Sequence, residues 1–283
     1  MKKIAKIMTL LLTFVFIGQT ITVNAEADRL QEIEKNGKII VAISGTLYPA
    51  NYYNDDKELV GYNVEIMNEV AKRLGVEVEY KEMGVDGMLT AVKSGQVDVV
   101  AEGLQPTSKQ KEDFLIGEPI KHSFTSIIVR KKDDSGISSI EDFKGKKAAG
   151  GATTEYMRLA EQLGSELVTY DNASNDQYLL DVQNGRTDFI PNDYYLQSMS
   201  IEFFKDIDVK LGKVFYNPST ASFVYNKSSE SLQEKIDSII KEMKEEGLLK
   251  QYSETYFNGN DVSVEKEEID GQKISELPVI ELK

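Results

Sequence analysis

The chain of 283 residues carries 33 basic and 47 acidic side chains, a single histidine, and neither cysteine nor tryptophan. A surface this acidic repels nucleic acid and anionic lipid. With no cysteine and only His122, an ordinary zinc site is excluded, and no calcium-loop pattern of spaced Asp and Asn closed by Gly is present. Neither a metal nor a cofactor is expected.

The N-terminus reads as an export signal rather than as fold. Lys2, Lys3 and Lys6 precede an almost uncharged apolar run over residues 7–23, and Val23-Asn24-Ala25 supplies small residues for cleavage after Ala25. An uncleaved anchor helix is the alternative, but Thr9, Thr13, Gln19 and Thr20 dilute the run. Three of the 33 basic residues and none of the 47 acidic ones lie in 1–25, so the remainder has a net charge of about −17. Residues beyond 25 suffice for two compact lobes or one large domain. Without cysteine, a lipid-modified N-terminal anchor is ruled out. The protein is therefore expected to be extracytoplasmic, whether periplasmic, secreted or associated with the cell surface.

Elements follow in quick order. A strand over 38–43 leads into a loop over 44–56, then a helix over 63–74. There Val64, Met67, Ala71 and Leu74 recur at helical spacing, Asn63 is placed to cap the start and Gly75 to end it. A strand at 77–80, a helix over 87–94 stopped by Gly95 and a buried strand at 97–101 complete an alternating unit, which calls for a parallel sheet with crossover helices. A second unit begins after 127–130. Ser138 with Glu141 makes a capping signal, followed by a strand at 146–149, a helix over 154–163, a strand at 167–170, a helix opened by Ser174 and Gln177, and a strand at 188–191 leading into Asn192-Asp193. A strand at 221–225 precedes a strongly amphipathic helix over 231–246. Its stripe is Leu232, Ile236, Ile239, Ile240 and Met243, with Ser231 and Glu234 as its cap. A short helical piece spans 251–257. Residues 258–283 are acidic without helical period and read as a tail, ordered only if it packs back on a lobe.

Several stretches, in this order, resemble the extracytoplasmic solute-binding proteins of polar-amino-acid ABC transporters, the family 3 type of bacterial solute-binding protein. They are Tyr48-Pro49, Leu59 to Asn63, Asp86-Gly87-Met88-Leu89, Gly95 to Val100, Glu118-Pro119, Phe143-Lys144-Gly145-Lys146-Lys147 with Thr153-Thr154, and Gly185-Arg186-Thr187-Asp188 through Asp193. The resemblance covers about 38–257. It implies an α/β, two-lobed periplasmic-binding-protein-like (type II) fold, hinged, each lobe a sheet flanked by helices. Lobe one would be discontinuous, 27–130 plus 221–257, and lobe two 131–220. The hinge strands would fall at 127–131 and 221–226. Ligands of open α/β sheets bind at the carboxyl ends of strands, and two such edges facing each other form a cleft that closes by hinge motion.

The same resemblance implies the site. Asp193 corresponds to an aspartate that meets a ligand ammonium, although an Asp there also suits a helix cap. Tyr48 matches a ring that stacks on the ligand, with Tyr52 or Tyr53 able to substitute; ordinary loop packing is the competing reading for all three. Thr153 and Thr154 stand at a predicted helix N-terminus, which favours an anion and equally suits a plain cap. The main departure lies in 101–111. Where the family has an arginine that grips an α-carboxylate, this chain has Gln110, and Glu102 and Gln105 replace small hydroxyl residues. Glutamine cannot make the charged double bond of arginine; with Thr107 it also suits a capping box. This departure suggests a ligand without a conventional α-carboxylate, or one with extra positive charge for Glu102. Val85, where a large apolar wall is usual, suggests more room.

The implied function is capture of a small polar solute, an amino acid or a derivative, by a monomer serving ABC-transporter membrane subunits. A sensing or surface-exposed binder of the same fold is the alternative. A dehydratase-type enzyme would need a tuned acid or base, and Glu102 and Asp193 lack an accompanying nucleophile or metal motif.

Overall fold

The structure is a computed structural model describing residues 28–104, 108–170 and 173–283, the side chains of 108–110 excepted. The export signal expected over 1–25 lies outside these residues. The first half runs α1 (Arg29–Asn36), β1 (Lys38–Ile43), a small antiparallel sheet of β2 (Thr46–Leu47), β3 (Asn51–Tyr53) and β4 (Leu59–Val60), then α2 (Tyr62–Leu74), β5 (Glu77–Glu82), α3 (Val85–Lys93) and β6 (Val99–Leu104). After α4 (Ser108–Asp113) and β7 (Phe114–Ile116), the long β8 (Lys121–Arg130) leads into the second half. That half holds β9 (Lys147–Gly150), α5 (Glu155–Gln162), β10 (Glu166–Thr169), α6 (Asn175–Gln183), β11 (Phe189–Asp193), α7 (Tyr194–Phe203) and β12 (Val209–Leu211). The chain returns along β13 (Tyr216–Asn226) to α8 (Glu230–Glu245) and α9 (Leu248–Tyr256), and ends with a small hairpin of β14 (Glu268–Ile269) and β15 (Gln272–Lys273).

Two lobes of the same plan result. β5, β1 and β6 are parallel and are flanked by antiparallel β13; β10, β9 and β11 are parallel and are flanked by antiparallel β8. Each lobe thus takes its flanking strand from a segment that has just left the other. β8 and β13 cross side by side, Lys121 opposite Ala221 and Thr125 opposite Tyr216, which joins both sheets into one order, β10-β9-β11-β8-β13-β6-β1-β5. The crossing uses residues 121–125 of β8, whereas 125–130 already pair with β11 and β12. The switch therefore falls earlier on this strand than the 127–131 expected from sequence.

Helices cover both faces of each sheet, which is why central strands such as β1 read as near-continuous apolar runs, while the edge strands β5 and β10 do not. Ile39, Val41 and Ile43 face α2, α8 and α9, while Ala42 and Val100 face α3. In the second lobe Ile127 and Val129 pack towards Met157 of α5, and Ile128 towards Leu179 of α6. Fully burying one such aliphatic side chain stabilises by roughly 1.5–3 kcal/mol.

Several expected caps are used differently. α2 starts at Gly61, whose φ of +133° and position against the Ala50 carbonyl admit no Cβ, and Asn63 points inward to donate from Nδ2 to the Ala101 carbonyl at 2.9 Å. The cap near 138 shifts by one residue, to Ser139 with Asp142. α8 is capped at Ser229, and the Ser231 hydroxyl donates instead to Asp28 of α1's start.

The acidic C-terminal segment has no α-helix, only the hairpin and a 3-10 turn at Ile274–Glu276, and it packs back on both lobes. Val262 is fully buried and its carbonyl accepts from the His122 N–H at the start of β8, 2.8 Å. Asp270 accepts from the Tyr194 hydroxyl at 2.9 Å. Beyond, Asn217 of β13 exchanges bonds with the Pro278 and Ile280 backbone, and Gln162 of α5 with Glu281 and Lys283. Ile280 and Leu282 lie on the second lobe's core.

Candidate functional site

Strand carboxyl ends and helix N-termini from both lobes converge on one cavity of about 420 Å³. From the first lobe come Ser44 after β1, Thr46 and Leu47, the start of α3 with Val85 and Asp86, and Glu102 near the end of β6. From the second come Gly150 to Tyr156 at the β9–α5 junction, Ile190 to Asp193 of β11, and Gln197 and Ser200 of α7. Lys121 reaches in from the crossing strand β8.

Glu102 is buried on the first wall. Its Oε2 accepts from the Ser44 N–H at 2.9 Å and from Asn51 Nδ2 at 3.1 Å, and its Oε1 from Ser44 Oγ at 2.8 Å. Burial pushes its carboxyl up to about 7, against the pull of those three donors. Ser44 and Asn51 are themselves buried, so this carboxyl is held in one orientation.

Asp193 is buried on the opposite wall, 1% exposed. Oδ1 accepts from the Leu196 N–H at 3.0 Å, capping α7, and Oδ2 stands 2.7 Å from Lys121 Nζ. Lys121 is 7% exposed at its side chain; burial lowers its ammonium and Asp193 opposes that. The cap reading of Asp193 is thus realised, and its other oxygen faces a cation of the chain itself.

Two contacts close the mouth. Asp86 Oδ1 accepts from Thr153 N and Oγ1, at 3.0 and 2.7 Å, across the lobes. Thr154 caps α5: its Oγ1 accepts from the Met157 N–H at 3.3 Å and donates to the Gly151 carbonyl at 2.9 Å. The Tyr48 ring packs on Phe203 of α7, centroids 4.4 Å apart, and edge-on against Tyr52 at 4.8 Å.

The expected site residues therefore separate. Glu102, Thr153, Thr154 and Asp193 line the cavity. Tyr48 does not, because its ring is spent on the inter-lobe contact with Phe203, and Tyr53 is 47% exposed with its hydroxyl donating to Glu82. Gln105 and the Gln110 side chain lie outside the described residues. Sequence reading missed Lys121, Ser44 and Asn51. Lys121 carried one usable signal, a charge inside a strand whose neighbours Ile120, Phe124 and Ile127 are all apolar and buried.

A family model of bacterial extracellular solute-binding proteins, family 3, matches residues 39–259. The chain belongs to that family. Family and fold are those of solute-binding proteins rather than of catalytic enzymes. Among family members, the probable ABC transporter extracellular-binding protein YckB of Bacillus subtilis is 47% identical over 237 residues, 82% of this chain and 83% of the relative. The crystal structure of YckB superposes with a TM-score of 0.67 over 89% of this chain and 99% of its own. The L-cystine-binding protein TcyA of the same organism is 33% identical over 84% of this chain and 87% of its own. A Streptococcus pneumoniae amino acid ABC transporter substrate-binding protein, AbpA bound to L-arginine, shares 25% identity and a TM-score of 0.73 over 83% of this chain and all of its own. The acidic segment beyond residue 259 lies outside the family model.

Proposed function

We propose that this protein captures a small amino-acid-like solute outside the cytoplasm and presents it, lobes closed, to the membrane subunits of an ABC transporter. The observation that carries the reading is the cavity between two strand edges, with one buried carboxyl on each wall and an inter-lobe contact, Asp86 to Thr153, at its mouth. A solute that touches both walls adds contacts only the closed form has, and this difference in affinity drives closure. Relatives named as binders of cystine and arginine support the solute class. The basic and apolar pattern of residues 1–25 supports export in this reading.

In this reading the lobes comprise residues up to the start of β8 plus 221–257, and 126–220, with 258–283 strapped across both. Ser44, Glu102, Thr153, Thr154 and Asp193 line the solute's chamber, and Tyr48 serves closure rather than stacking. Calorimetric titration of the exported chain, residues 26–283, with the twenty L-amino acids and L-cystine tests the solute class. Micromolar or tighter binding of at least one is expected; no heat from any of them overturns the reading. Binding should also compact the molecule in solution scattering.

A further inference from the structure

Resting on the amino-acid-like reading, we infer that Lys121 receives the solute's carboxylate, in place of the cation that position 110 lacks, while Asp193 positions Lys121 instead of meeting a solute ammonium. Among the described residues lining the cavity, Lys121 is the one cation, set against Asp86, Glu102, Glu155 and Asp193. Elsewhere among the described residues that line this chamber, a carboxylate would face acidic and neutral groups.

The bonding pattern points the same way. Asp193 caps α7 with one oxygen and sets the other 2.7 Å from Lys121, so a cation of the chain itself already meets its charge, whereas Glu102 has none. Lys121 has three N–H donors, and its ion pair with Asp193 takes one; a buried ammonium with donors to spare demands further acceptors. A solute carboxylate supplies them. The N-terminus of α5 is a poorer rival, since Glu155 in its first turn brings its own anion and Asp86 already covers Thr153. Across the chamber Glu102 has only neutral partners, Ser44 and Asn51, and is the free pole for a cationic group. A zwitterion would then lie with its carboxylate towards the crossing strand and its ammonium towards the first lobe.

The test measures carboxylate reading directly. Each of the twenty L-amino acids and L-cystine is titrated as the acid and as its α-carboxamide, into the wild-type chain and into the variant Lys121→Gln/Asp193→Asn. The double change removes both charges, so neither is left buried alone. For the tightest-binding acid, the wild type should prefer acid over amide by at least tenfold, and the variant by twofold or less. Lys121→Arg, which keeps the charge, should retain most of the preference. A preference of tenfold that persists in the double variant, or equal binding of acid and amide by the wild type, overturns the inference and leaves the amino-acid reading standing. No binding of any acid by the wild type overturns both.

Discussion

The two walls of the cavity bury one carboxyl each and stabilise it by opposite means. On the second wall Asp193 has Lys121 2.7 Å away, and the α7 backbone donates to its other oxygen. On the first wall Glu102 has three donors but no cation, and burial lifts its carboxyl to about 7. One wall thus carries an acid beside a cation, and the other a carboxyl poised to gain or lose a proton near neutrality. A buried charge needs either a partner or a proton, and here each solution stands within the same chamber.

The salt pair gives the largest expected effect. Lys121→Met strands Asp193 in the interior and should cost about 3–5 kcal/mol of unfolding free energy. Adding Asp193→Asn should restore most of it, since the second change removes the orphaned charge. Urea denaturation of both variants decides the matter. A loss below about 1 kcal/mol in the single variant would mean that water reaches the pair, and the contrast between walls would vanish.

Glu102 should behave in the reverse sense. Its carboxyl is raised from 4.5 to about 7 in the folded protein, so the folded state holds a proton that the unfolded chain has already lost between those values. Stability therefore falls as pH rises from about 4.5 to about 7, with a full cost of about 3 kcal/mol above. Glu102→Gln should flatten that slope, matching wild type at pH 4.5 and exceeding it at pH 8. If a cationic group of the solute meets Glu102, binding at pH 6.5 should also release a proton, seen as a binding enthalpy that changes with buffer. A pH-independent difference between wild type and variant would place Glu102 in contact with water.

What the sequence made legible follows from the same physics. The parallel units were readable because α2, α3, α5 and α6 each end within two residues of a glycine and the central strands β1 and β6 are largely apolar and buried. Asp193 stood out as an acid just past a strand end, where a cleft would lie, and Glu102 as an acid where the family has a small hydroxyl residue. The first half of β8 was not readable, since Lys121, Ser123, Thr125 and Ser126 break its apolar pattern, yet all four are buried. They are polar because this stretch crosses between the lobes. A buried lysine is rare enough, and its partner far enough along the chain, that no local pattern reveals the pair. Tyr48 was misplaced for another reason. A ring beside a cleft has two surfaces to choose from, and only the three-dimensional position of Phe203 decides between them.

The walls face each other only while the lobes are held together, and the C-terminal segment contributes on the side of the crossing strands. Ending the chain after Leu277 removes the bonds to Asn217 and Gln162 and uncovers the surface under Ile280 and Leu282. The expected loss is about 2 kcal/mol, from two half-buried aliphatic side chains and a few exposed hydrogen bonds. It should fall on the second lobe, visible as faster amide exchange around α5 and β13 with α2 and α8 unaffected. Uniform acceleration across both lobes would show that the strap stabilises the whole fold rather than one wall.

The smallest effect should come from the mouth. Asp86 and Thr153 meet only when the lobes are closed, and their two bonds are exposed to water, so they contribute about 1 kcal/mol to closure. Asp86→Ala should weaken solute affinity about fivefold and raise the open population, read as a larger radius of gyration before solute is added. Urea stability should stay unchanged, because neither lobe's core includes these side chains. The order of preference among solutes should also hold if, as inferred above, selection rests with Glu102, Lys121 and Asp193 deeper in the chamber. A changed order would move recognition outward to the mouth and reduce the two buried carboxyls to scaffolding.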